Sequence, residues 1–354
     1  MAPIVTDVTI RQVAHLSIAG DSIRLRLSNL FGTSAVTLDT IHVARSTGGF
    51  TIDTTTDHAV TFANSTTATI PAGGTIVSDA VSMPVAALSD IAVSVHVAAA
   101  TSLTTGHYTI TNAYAIGGNS VAANPSSATA LAANSYWLDE IDASSALAAN
   151  VVVAFGDSIT DGSQSTPGAH ASYPEQLAAR VATQSNPRIA VLNAGIGGNR
   201  WLQDVRGPSG SSRFARDVLG TQAVTHTIIL LGINDFIVVR AFGGAPVTAG
   251  ELMPAIQSAI AQAKAAHVKV LLGTLTPYKG SMDYNADDDT QRVALNTWIR
   301  QNTDADGTVD FDAALRDPAD ALSLAANYAS PDHLHPNDAG YAAMANLVDL
   351  AKLR

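Results

Sequence analysis

The chain has 354 residues, 47% hydrophobic content and a formal net charge of −11. That length gives one large domain or two ordinary ones, with enough apolar residues for a sizeable core. The acidic balance argues against nucleic acid as partner, and the lack of cysteine excludes disulfides, thiolate metal sites and a cysteine nucleophile.

No apolar run reaches the roughly 18 residues that a membrane helix requires, so no membrane partner is expected. The opening Met1-Ala2-Pro3-Ile4 has no basic n-region followed by an apolar h-region. Abundant Ala, Thr and Ser with scarce Lys are compatible with export, and a secreted protein whose signal has been removed is the expectation. A cytoplasmic setting is the alternative.

Residues 1–148 read as short strands divided by turns. Ile23–Leu30 and Ile91–Val97 alternate apolar and polar residues, as half-buried strands do. Tyr108–Thr111 is a third candidate. Gly32, Gly48-Gly49, Gly73-Gly74 and Gly117-Gly118-Asn119 mark turns. The expectation is an all-β, sandwich-like domain. The Ala/Ser-rich stretch Ala143–Asn150 marks the boundary.

Residues 149–354 alternate strands and helices. Strands are expected at Val151–Phe155, Ile189–Leu192, Thr227–Leu231, Val268–Leu272 and Val309–Phe311. Helices are expected at Tyr173–Gln184, Glu251–His267, Ala294–Gln301 and Ala339–Leu350. Such alternation predicts an α/β domain, a parallel sheet with helices on both faces. Ligands of such sheets bind beyond the carboxyl ends of the strands. Ser158, Gly198 and Asn234 each follow a predicted strand, so three runs deliver polar residues to one edge.

A serine hydroxyl needs a base to attack an acyl carbon. Gly156-Asp157-Ser158 supplies the hydroxyl. Asp332-His333-Leu334-His335 supplies His335 as base, with Asp332 to hold its ring and stabilise the imidazolium. A developing oxyanion needs donors. The Ser158 N–H, a glycine N–H at Gly198 and the Asn234 amide meet that need.

These blocks, with Gly232-Ile233-Asn234-Asp235 as the third, resemble the SGNH, or GDSL-type, serine hydrolase family. The likeness spans nearly all of residues 151–350. It implies a flavodoxin-like three-layer α/β/α domain and ester hydrolysis through an acyl-enzyme. It also implies Ser158 as nucleophile, His335 as base, Asp332 as its acid partner, and Gly198 and Asn234 as oxyanion donors. The Gly-x-Ser-x-Gly elbow of α/β-hydrolases is absent. Asn193–Trp201, Leu275–Tyr278, Phe311–Pro318 and His333–Tyr341 look like the arylesterase-like and xylan-associated acyl hydrolase branch. Many of its members carry an N-terminal β domain, and their substrates are small esters or acetylated carbohydrates.

Several residues carry a plainer alternative. Ser158 suits a helix N-cap. Gly195 or Gly197 competes with Gly198 as the useful glycine. His333 is assigned to lining or supporting the site, and Asp332 also suits a turn. Asp157 and Asp235 are assigned to holding loops by local hydrogen bonds. Asp157, Arg200, Trp201 and His333 are candidates to line the substrate pocket, with a core position the rival for Trp201. Asp287-Asp288-Asp289 reads as a solvated loop or helix N-terminus, since the calcium-loop pattern is missing. No H-E-x-x-H pair occurs, so neither metal nor other cofactor is expected.

The expectation is a metal-independent serine esterase for short acyl groups, acetyl above all. The competitors are a lysophospholipase or thioesterase of the same fold, and a glycan-binding protein with a vestigial hydrolase domain. The β domain would bind carbohydrate, shape the rim of the site or stabilise the fold. With no long linker, it is expected to pack on the catalytic domain.

Overall fold

The computed structural model describes residues 3–108, 112–131, 134–147, 149–183, 188–237 and 247–354. The chain divides into two compact units, Met1–Leu147 and Ala148–Arg354.

In the first unit, an antiparallel sheet runs in the order Thr129–Ala130, Tyr114–Gly117, Val8–Leu16, Ser89–Val97, Thr40–Gly48 and Thr51–Ile52. His58–Ala59 also pairs with Thr40–Gly48. A three-stranded sheet is formed by Leu138–Ser144, Ser22–Ser28 and Thr75–Val77. Ile23, Leu25 and Leu27 of the smaller sheet share one core with Ile10, Ile41, Val43, Val93 and Val95 of the larger. Arg24 points to solvent between them, as the period of two requires. Ser89–Val97 departs from its half-buried reading. Ser94 and His96, on the face away from that core, are buried too. Arg11 explains this. Its guanidinium bonds Ser94 Oγ (2.8 Å) and the carbonyls of Phe50, Ser120, Val121 and Ala123, tying the 118–124 loop to that face. Of the Tyr108–Thr111 candidate only Tyr108 is described, as the last residue of the strand Gly106–Tyr108; Thr109–Thr111 lie outside the described residues.

The second unit is a three-layer α/β/α domain around five parallel strands: β1 (Ala149–Gly156), β2 (Arg188–Gly195), β3 (Val224–Leu230), β4 (Lys269–Gly273) and β5 (Gly307–Val309). Their order in the sheet is β2-β1-β3-β4-β5. This is the doubly wound order whose direction reverses between β1 and β3, where such sheets open a crevice at their carboxyl ends. Val152, Val153, Ala154 and Phe155 are all buried. Their continuous apolar run is what a central strand covered on both faces demands.

The helices of this unit are α1 (Ser158–Asp161), α2 (Tyr173–Ala182), α3 (Gly210–Phe214), α4 (Ile233–Ile237), α5 (Ala249–Ala265), α6 (Ala286–Gln301), α7 (Phe311–Leu315) and α8 (Asp338–Leu347). A capping box starts α2: the Ser172 N–H donates to Glu175 Oε2 at 3.1 Å, and Ser172 Oγ accepts the Glu175 N–H. Leu177, Ala178 and Val181 bury its inner face. Leu177→Ala would cost roughly 2–5 kcal/mol by opening a cavity.

Two sequence expectations change. Helix α6 starts eight residues before Ala294, because Asn285 Oδ1 accepts the Asp287 and Asp288 N–H groups. The three aspartates form its first turn, favourable against the helix dipole. Asp289 pairs with buried Arg292 at 2.6 Å. The expected strand Val309–Phe311 ends at Val309, because Asp310 caps α7 through the Ala313 N–H. Among the described residues no helix is long and apolar enough to cross a membrane.

Candidate active site

Strand β1 ends at Gly156, where space forces the residue type. A Cβ there would stand 2.1 Å from Thr160 Oγ1 and 2.3 Å from the Leu230 carbonyl. Asp157 then caps the one-turn helix α1, its Oδ1 accepting the Ile159 N–H at 3.0 Å. Gly162, at φ 105°, closes the turn by donating its N–H to the Ser158 carbonyl. Ser158 thus takes the first helical position, where a backbone N–H has no partner within the helix.

Asp332 and His335 come from a tight loop before α8. Its ends are held by the Ser330 N–H on the His335 carbonyl at 3.0 Å, and Asn337 caps α8 through the Gly340 N–H. Asp332 Oδ1 accepts the Ser330 hydroxyl and the N–H groups of Leu334 and His335, at 2.7, 2.9 and 2.9 Å. Its Oδ2 lies 2.7 Å from His335 Nδ1, and His335 Nε2 lies 2.8 Å from Ser158 Oγ. The structure therefore brings Ser158, His335 and Asp332 into one line. Burial pushes the Asp332 carboxyl up, but the bonds from His335, Leu334 and Ser330 outweigh it and hold it well below the usual carboxylate range. A carboxylate beside Nδ1 fixes the tautomer whose bare Nε2 faces the serine. Tyr341 of α8 donates its hydroxyl to the Ser163 carbonyl at 2.6 Å, tying the helix after the histidine to the loop after the serine.

The loop after β2 turns at Ile196–Asn199, closed by the Asn199 N–H on the Ile196 carbonyl at 3.0 Å. Gly198 occupies the third place of the turn at φ 72°, a backbone region that favours glycine. The rivalry among the glycines narrows here. Gly195 already spends its N–H on Asn193 Oδ1 at 2.9 Å, whereas no acceptor within the described residues takes the N–H of Gly198. Asn234, in the first turn of α4, donates one amide hydrogen to the Asn199 carbonyl at 3.1 Å. Among the described residues no acceptor takes its second amide hydrogen. Asp235 beside it receives the Trp201 N–H at 2.9 Å and the Leu202 N–H at 3.3 Å. Both aspartates next to site residues thus hold loops. Burial raises Asp157 to about 7 and Asp235 to about 6.

Three candidate pocket residues are interior. Trp201 is wholly buried, its Nε1 donates to the Leu231 carbonyl at 2.9 Å, and its ring packs beside Phe155. Arg200 and Asp157 are equally withdrawn from solvent. The turn at Gly198 carries the chain back toward the core, and Asp157 Oδ1 is engaged by the Ile159 N–H of α1. His333 is exposed, at φ 56°, with its ring against Gly280. Sequence reasoning missed Arg213 and Asn199. Arg213, in α3, bonds Asn199 Oδ1 and the carbonyls of Ala194 and Gly156.

A hydroxyl 2.8 Å from one imidazole nitrogen, with a carboxylate 2.7 Å from the other, is the equipment for acyl transfer. The GDSL-like Lipase/Acylhydrolase family matches residues 154–343, more than half of the chain. Solved structures similar to it include a GDSL-like lipase from Bacteroides thetaiotaomicron (22% identity, TM-score 0.44, 57% of this chain and 87% of that one). Another is a catalytic mutant of an acetylxylan esterase from Geobacillus stearothermophilus (23% identity, TM-score 0.44, 58% of this chain and 95% of that one). A third is a member of the lipolytic protein G-D-S-L family from Veillonella parvula (21% identity, TM-score 0.42, 56% and 96%). No curated protein matches the chain. With the motif order, the strand-tip serine and the family match in agreement, the chain belongs to the GDSL-like lipase/acylhydrolase family and is a carboxylic ester hydrolase.

Proposed function

We propose that the second unit hydrolyses short-chain esters, acetyl esters above all, through an acyl-enzyme on Ser158, with a small ester or an acetylated carbohydrate as substrate. The observation that carries this reading is the line from Ser158 Oγ to His335 Nε2 at 2.8 Å and from His335 Nδ1 to Asp332 Oδ2 at 2.7 Å. Ser158 Oγ attacks the acyl carbon while its proton passes to His335 Nε2. The carbonyl oxygen gains the charge and is met by the Ser158 N–H, the Gly198 N–H and the Asn234 amide. The intermediate collapses, His335 protonates the departing alkoxide, and the alcohol leaves. His335 then takes a proton from water, whose oxygen attacks the acyl-enzyme. The second intermediate collapses, His335 returns that proton to the departing Ser158 Oγ, and the acid is released. His335 carries every proton, so no cofactor is called on. The motif likeness to xylan-associated acyl hydrolases supports the preference for acetyl.

The test is hydrolysis of p-nitrophenyl esters of increasing chain length, and of acetylated xylan, by wild type and Ser158→Ala. Turnover is expected to be highest at acetyl and lost in the variant. A maximum at long chains defeats the acyl preference, and full activity without the Ser158 hydroxyl defeats the mechanism.

A further inference from the structure

Arg213 is wholly buried in α3, and its donors reach three segments. Nη2 donates to the Gly156 carbonyl at 2.7 Å, two residues before Ser158. Nη1 donates to the Ala194 carbonyl at 2.8 Å, at the end of β2. Nε donates to Asn199 Oδ1 at 3.0 Å, next to Gly198. Asp217 Oδ2 accepts from Nη1 at 3.0 Å, and the guanidinium carbon lies 4.0 Å from the centre of the Phe155 ring. Asn199 is itself the hub of the loop. Its Nδ2 holds the Arg206 and Pro208 carbonyls, and its own carbonyl holds Asn234.

We propose that Arg213 is a positioning residue that sets the separation between the strand tip bearing Ser158 and the loop bearing Gly198. The proposal rests on the reading of those two residues as nucleophile and oxyanion donor. A guanidinium is planar and carries five donors in a fixed fork, so atoms bonded to it are held at set distances from one another. Gly156 and Asn199 are bonded to one such plane. The Gly156 carbonyl also accepts the Ile196 N–H at 3.1 Å, so strand tip and loop are joined twice, once by backbone and once through Arg213. A lysine would keep the charge beneath Phe155 and beside Asp217 but cannot reproduce the fork. The rate depends on donors aimed at the position the oxyanion takes, and a displacement of about 1 Å there can cost about 10²-fold. Arg213 touches no substrate in this scheme; it acts through Asn199 and Gly156.

The experiment compares wild type, Arg213→Lys, Asn199→Ala and the double variant on p-nitrophenyl acetate. Each preparation is titrated with a p-nitrophenyl phosphonate, so that turnover is counted per reactive serine and misfolded protein drops out. For Arg213→Lys, kcat per titrated site is expected to fall about 10–100-fold while KM stays within about threefold. Asn199→Ala removes the acceptor and leaves the guanidinium, so it keeps the proposal testable if the lysine variant does not fold. It is expected to fall by about tenfold or more, since its Nδ2 bonds to the Arg206 and Pro208 carbonyls go too, and the double variant to fall by less than the product of the two single losses. Turnover per site within about twofold of wild type in either single variant, or losses that multiply in the double variant, would overturn the proposal. Peptide mapping of the wild-type adduct separates the two levels. Labelling away from Ser158 sinks the site reading and this proposal with it, while labelling at Ser158 with unchanged variant turnover sinks this proposal alone.

Discussion

Asn234 Nδ2 donates to the backbone carbonyl of Asn199 at 3.1 Å, so a side chain from the tip of β3 fixes the loop leaving β2. The proposed second role of that amide is a hydrogen bond to the developing oxyanion. Asn234→Ala removes both functions, and kcat is expected to fall by about 10²–10³ with little change in KM. Asn234→Asp is expected to fall further, since a carboxylate would face the Asn199 carbonyl and repel the oxyanion. Steady-state kinetics on p-nitrophenyl acetate decides. A rise in KM with kcat unchanged would make Asn234 a ground-state contact and remove it from the oxyanion hole.

Asp332 carries two tasks that two substitutions separate. Asp332→Asn keeps a shape able to accept from the loop but loses the charge beside His335 Nδ1; kcat is expected to fall about 10⁴-fold. Asp332→Ala also abandons the Leu334 and His335 N–H groups, and is expected to lose a further 1–3 kcal/mol or so of stability. Because the folded carboxyl is held below its usual range, its stabilising contribution is complete above about pH 4 and is lost only as the pH falls below that. Melting temperatures of wild type and Asp332→Ala should therefore differ by a constant amount between pH 5 and 8, to within about 1–2 °C. A gap that closes within that window would contradict the assignment.

Asp157 gives the opposite sign. Burial raises its folded carboxyl to about 7, against about 3.9 in an unfolded chain. Such a group contributes most to stability below about pH 4, and the contribution fades as the pH rises to 7 and the carboxylate must ionise in the interior. Asp157→Asn retains an acceptor for the Ile159 N–H and has nothing to ionise. The variant should gain on wild type steadily from pH 4 to pH 8, read as the difference in urea midpoints. A difference independent of pH would show that the buried carboxyl does not titrate there. Wild type keeps some slope from Asp235, whose raised value has the same sign.

The core of the site was legible because chain chemistry and spatial placement coincide at strand tips. Val151–Phe155 reads as a buried strand, Gly156 breaks it, and whatever follows must sit at the sheet's carboxyl edge; the same logic places Gly198 and Asn234. His335 was legible because an acid three residues away can reach its ring within one loop. What escaped is what the fold alone brings together. Arg213 lies in a polar, one-turn stretch with no period to read, and its acceptors are the carbonyls of Gly156 and Ala194, which no side-chain pattern reveals. Trp201 follows the glycine block and so looked like a pocket wall. Only the turn at Gly198 shows that the chain heads back into the core. Asp310 was taken for a strand residue because three residues cannot separate a period of 2 from one of 3.6.

Arg11 offers a test confined to the first unit. Its side chain is wholly buried, and it holds the carbonyls of Phe50, Ser120, Val121 and Ala123 at 2.7–3.1 Å. Among the described residues no carboxylate bonds it; backbone oxygens of Phe50 and the 118–124 loop take that place. Arg11→Met fills much of the volume but leaves those carbonyls without their donor, at about 1–3 kcal/mol for each one that water cannot reach. The loop should therefore open before the sheet does. Hydrogen exchange is expected to quicken at the amides of Gly118, Ser120 and Ala123, whose acceptors are Asp7, Thr9 and Ser120. The amides of Val152–Phe155 in the second unit should keep their wild-type rates. Unchanged exchange at all three loop amides would show that the loop closes without Arg11, and that its burial reflects packing of the stem rather than the bonds of its head.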